Sequence, residues 1–112
     1  MKLVNLTPHD ICIHSSDSVL TVPPSGVVSR VKVEDGATQH ILVDGNEVPL
    51  VATQVTCEID PPLPSPIEHT LLIVSRTTAQ VARGRDDLVI PHQTVRDADG
   101  EIIGCKALAR MP

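Results

Sequence analysis

Apolar and polar side chains alternate over residues 27–33, with Val27, Ser29, Val31 and Val33 set against Val28, Arg30 and Lys32. A period of two predicts a half-buried strand. Three short apolar-rich runs precede it, at residues 2–6, 11–14 and 19–22. The turn Thr7-Pro8-His9-Asp10 and the polar loop 15–18 separate them, and Pro23-Pro24-Ser25-Gly26 closes the third. Residues 39–43 and 47–59 flank Asp44-Gly45, a pattern that predicts a β-hairpin with a loop of two or more residues. Pro49 puts the start of the second arm at an edge or a bulge.

Asp60-Pro61-Pro62-Leu63-Pro64-Ser65-Pro66 holds four prolines in seven residues and reads as a stiff connector, too short to divide the chain into domains. Residues 70–75, TLLIVS, are almost wholly apolar and predict a central strand. Residues 77–83 predict one or two turns of helix, stopped by Gly84. Residues 88–90 form another short strand broken by Pro91. Residues 95–97 and 101–109 flank Ala98-Asp99-Gly100 as a last hairpin, with Gly104 a bulge. The sum is a mostly β chain (α+β, with one short helix). It predicts a small barrel or sandwich of antiparallel strands in a single domain, residues 1–112.

Composition sharpens this picture. The chain is 41% apolar yet contains no Phe, Tyr or Trp. Val, Ile and Leu must therefore build the core, which favours strands. The lack of aromatics also removes the stacking platforms of single-strand nucleic-acid binders. With 14 acidic against 9 basic side chains and a net charge of −5, nucleic acid is not an expected partner. Cys12, Cys57 and Cys105 form no CxxC pair and are expected to be reduced core residues of a cytoplasmic protein. The opening Met1-Lys2-Leu3-Val4-Asn5-Leu6 turns polar too soon for a signal peptide, and no apolar run is long enough for a membrane span.

Against this acidic background, Arg76, Arg83, Arg85 and Arg96 fall within 21 residues. A local basic site on an acidic chain suits a compact anionic ligand, and guanidinium forks match phosphate geometry. Ser75 and Thr77 add hydroxyls beside Arg76 at the predicted strand exit. Arg83 and Arg85 are positioned to clamp phosphate, with Asp86 orienting Arg85 or accepting ribose hydroxyls. The simpler readings are helix capping by Ser75 or Thr77 and a surface Arg85–Asp86 pair. His9 and His92 are candidate acid/base or ligand-contacting groups. A purely structural role for Asn5, Thr7, His9 and Asp10 around a fixed turn competes with that. The histidines have no metal-ligand spacing, and no GxxxxGK[ST], GxGxxG or GxSxG motif is present, so no cofactor is expected.

Asn5-Leu6-Thr7-Pro8-His9 resembles the signature of a family of small proteins from phages and bacterial mobile elements. Pro23-Pro24-Ser25-Gly26 followed by Arg30, Ile73-Val74-Ser75-Arg76, Arg85-Asp86 with Pro91, and Gly100-Glu101-Ile102-Ile103-Gly104-Cys105 fit the same pattern. The resemblance spans nearly the whole chain but brings no catalytic residue with it. A looser similarity of type links the chain to phage proteins that sequester host nucleotide immune signals.

Three readings follow. The first is a non-enzymatic binder of a phosphate-bearing nucleotide, using Arg76, Arg83 and Arg85 with Ser75, Thr77, Asp86, His9, His92 and Asn5 nearby. The second is a nucleotide hydrolase using His9 or His92. The third is a structural or protein-inhibitor module without a small ligand. Exposed edge strands make a homo-oligomer an expectation under all three.

Overall fold

The computed structural model describes residues 1–111, and Pro112 lies outside the described residues. Eight strands and one helix follow in chain order: β1 (Lys2–Asn5), β2 (Ile11–His14), β3 (Val19–Val22), β4 (Arg30–Val43), β5 (Asn46–Asp60), β6 (Thr70–Ile73), α1 (Arg76–Val81), β7 (Leu88–Arg96) and β8 (Ile102–Ala109). Six of the strands form one sheet in the order β1-β6-β7-β8-β2-β3. Its two edges nearly meet. Just past β3, Pro24 bridges to Asn5 of β1, and the Ser25 N–H donates to the Asn5 carbonyl at 2.9 Å. The result is a small, nearly closed β-barrel. The expected antiparallel pairing holds for β2–β3, β7–β8 and β4–β5, whereas β1–β6, β6–β7 and β2–β8 run parallel.

β6 is the centre of the core because it is buried on both faces. Leu72 and Val74 pack with Leu6, Leu88, Ile90 and Ala79 of α1. Ile73, on the opposite face, packs with Val22 and Val89. Burial on both sides is why this strand reads as an unbroken apolar run rather than an alternating one. Ser75 caps α1: its Oγ accepts from the Thr78 N–H at 3.3 Å and donates to Thr78 Oγ1 at 3.0 Å. Gly84, with φ of 98°, lies just beyond the helix.

Several boundaries differ from the sequence expectations. Residues 27–29 are not a strand; β4 starts at Arg30 and runs without interruption to Val43. Its partner β5 is 15 residues long, and the two are joined by Asp44 and Gly45 at φ of 51° and 79°. Two consecutive positive φ values are what a tight hairpin turn needs. A bulge at 35–38 carries the strand through Asp35-Gly36 and joins the runs expected separately at 27–33 and 39–43. Pro91 does not end β7. β6 pairs with β7 only at Leu88 and Val89, so that edge is already open where Pro91 stands, and a missing N–H is tolerated. The bulge expected at Gly104 is present: Val95 pairs with Gly104 and Arg96 with Ile102, so Ile103 of β8 is the extra residue. Of the three free thiols, Cys105 is buried, Cys12 is partly covered, and Cys57 is exposed on the hairpin, so Cys57 is not a core residue.

Candidate functional site

The loop Thr7-Pro8-His9 is held by a single buried side chain. Asn5 Nδ2 donates to the carbonyls of His9 (2.7 Å) and Val22 (3.0 Å). Asn5 Oδ1 accepts from the Thr7 N–H (2.9 Å) and Thr7 Oγ1 (2.6 Å). Both donors and both acceptor positions of the amide are used, so Asn5 has nothing left to offer a ligand. Its role is to fix where His9 stands.

His9, Ile11 and Pro91 form a shared wall between two concavities. The larger, of about 570 Å³, lies between the root of the β4–β5 hairpin, the Thr7–His9 loop and the start of α1. Its floor is aliphatic: Val31, Val33, Val55 and Val74. Arg30, His9, Thr7, Ser75 and Thr77 bring the polar groups. The smaller concavity, of about 400 Å³, lies over β2 and β8 and includes Cys12, Thr94, Ile102 and Gly104. In the larger one, an apolar bed with a few convergent polar groups is the usual make-up of a small-molecule site, and its size falls in the usual range.

The predicted arginine cluster does not converge on this groove. Arg85 makes a bidentate pair with Asp87, Nε to Oδ1 at 2.9 Å and Nη2 to Oδ2 at 2.6 Å, and Nη2 also donates to the Pro64 carbonyl at 2.8 Å. It is a strut between the β6–β7 connection and the proline-rich connector. Its partner is Asp87 rather than Asp86. Asp86 is exposed and takes Arg110 Nε on its backbone carbonyl at 2.7 Å. Arg96 donates to the Gly100 carbonyl at 2.7 Å across the β7–β8 turn. Arg76, Arg83 and His92 are exposed and line neither concavity. Of the residues singled out from sequence, His9, Ser75 and Thr77 share the groove, and the hydroxyl of Ser75 is also engaged in capping.

Arg30 is the cation that sequence clustering passed over, because it stands 46 positions before Arg76. The signal available for it was the alternation that sets Arg30 beside Val31 and Val33, together with its place after the Pro23–Gly26 turn. Lys32 points to different chemistry. Its ammonium donates to Glu58 Oε1 at 3.2 Å, and that hydrogen bond raises the lysine pKa above its ordinary value. The pair is exposed on the hairpin and does not line the groove. Among the described residues there is no group of three or more His, Cys, Asp or Glu side chains arranged to hold a metal ion. No helix among them is long and apolar enough to cross a membrane. Comparison of the chain with protein-family models, with curated proteins and with solved structures finds no match.

Proposed function

We propose that this protein is a non-enzymatic binder of a small ligand that joins an apolar or planar body to an anionic, phosphate-bearing end. A nucleotide meets both requirements. The observation that carries the reading is the groove itself: an aliphatic floor of Val31, Val33, Val55 and Val74 with Arg30 and His9 among its polar members. With no aromatic residue in the chain, a base would lie on these valines, while the phosphate would meet the Arg30 guanidinium. The narrower reading, sequestration of a host nucleotide immune signal, rests on the similarity of type alone.

Native mass spectrometry with a panel of linear and cyclic nucleotides tests this. The expected result is a stoichiometric mass shift, with the nucleotide released intact on denaturation. Arg30→Ala is expected to weaken binding by about 10- to 100-fold, as for the loss of a charge-assisted hydrogen bond. Arg76→Ala is expected to leave binding unchanged. Consumption of the nucleotide would make the protein a hydrolase, and no shift with any nucleotide would sink the ligand reading. One observation favours a protein-interaction role beside it: the β4–β5 hairpin is long and largely uncovered.

A further inference from the structure

The β4–β5 ribbon is 14 and 15 residues long, and its main contacts with the rest of the molecule are with α1 at its root. A lone two-stranded ribbon is marginal in water unless a hydrophobic face is covered. This one has such a face. Residues directly paired across the ribbon share a side, so the pairs Ile41↔Val48 and Gln39↔Leu50, with Val43↔Asn46 beyond them, set Ile41, Val43, Val48 and Leu50 on one face. All four are solvent-exposed, Leu50 by 52%. The opposite face carries Leu42↔Glu47 and His40↔Pro49, with His40 Nδ1 at 3.2 Å from Glu47.

The surface area supports a missing cover. The accessible surface is 7779 Å², whereas a compact monomer of 12.0 kDa exposes about 6,000 Å². The excess of about 1,800 Å² is roughly twice what one partner gives up in a standard interface. The radius of gyration tells the same story, at 17.5 Å against about 13 Å for a compact chain of this length.

We infer that the uncharged face of the ribbon packs against the same face of a second copy of this chain, forming a two-fold dimer. Charge selects this occupant. Two chains of −5 each repel, and this repulsion costs least where the facing surfaces carry no charge. The Ile41–Val43–Val48–Leu50 face is such a place, whereas a basic partner would seek carboxylates, which this face lacks. A two-fold axis needs a self-complementary patch, and an aliphatic ribbon face stacked at the usual sheet spacing of about 10 Å provides one. The inference does not depend on the ligand reading, because the dimer face lies toward the hairpin tip and the groove at its root.

Light scattering on the eluting protein gives the test. The expected mass is twice 12.0 kDa. Leu50→Lys is expected to weaken the dimer by more than about ten-fold, while Leu42→Lys, on the opposite face, leaves it intact. Val43→Lys, beside the turn, provides the same test if Leu50→Lys fails to fold by circular dichroism. A wild-type mass of 12.0 kDa at the highest soluble concentration overturns the inference. So does a dimer that Leu42→Lys dissolves and both Leu50→Lys and Val43→Lys spare. Loss of the dimer with nucleotide binding unchanged, or the reverse, separates this inference from the proposed function.

Discussion

Arg85 grips Asp87 through two parallel bonds, of 2.9 and 2.6 Å, and a third bond ties the same guanidinium to Pro64. Asp87 is 8% exposed. Arg85→Ala would therefore leave a buried carboxylate without its cation and release the proline-rich connector. Removing one partner of a fully buried pair costs about 3–5 kcal/mol, and the partial exposure of Arg85 reduces this to about 2–3 kcal/mol. The expected outcome in urea unfolding is a lower midpoint, with ligand affinity changed little at temperatures where the variant is folded. Unchanged stability with lost nucleotide binding would return Arg85 to the role of a phosphate clamp.

Asn5→Ala is expected to be at least as costly. The carbonyls of His9 and Val22 and the Thr7 N–H all lose a partner inside the closure of the barrel. Unmet buried polar groups make this about 2–3 kcal/mol. Thermal unfolding of the variant against wild type measures it. Because Asn5 also fixes the loop bearing His9, amide exchange in residues 7–10 is expected to quicken under conditions where the core stays protected.

Gly104 tests the packing of β8 against β2. A Cβ there would stand 2.5 Å from the Cys12 carbonyl oxygen and 2.6 Å from Cδ2 of His14. The oxygen belongs to backbone and has little room to retreat. Gly104→Ala is expected to destabilise by about 1–3 kcal/mol, as overpacking does. A melting temperature equal to wild type would mean that β2 moves freely away from β8.

Much of the local structure was legible because it depends on short-range chemistry. Asp44-Gly45 announced its hairpin because few other residues accept two positive φ values in succession. Ser75 and Gly84 bracketed α1, and the apolar run around Ile73 marked the doubly buried strand. What stayed hidden depends on distant pairing. The parallel pairing of β1 with β6 sets Lys2 beside Thr70, with no turn between the two strands to record it, and β6 and β7 run parallel because the segment between them crosses over through α1. Strand order also decides which arginines meet. It brought Arg30, far upstream of Arg76, to the loop of His9, whereas Arg85 and Arg96 are drawn off by partners two and four residues away, Asp87 and the Gly100 carbonyl. From Arg30 onward, the runs at 27–33 and 39–43 are one strand because a bulge, rather than a break, carries β4 through Asp35-Gly36.

The absence of Phe, Tyr and Trp from the core and from every other part of the chain has an optical consequence. Cys12, Cys57 and Cys105 are all free thiols, so there is no disulfide chromophore either. The folded protein is almost dark in the near ultraviolet. Any nucleobase that stays with it through purification would supply essentially the whole absorption band, and a chain of this composition would report its own cargo without a label.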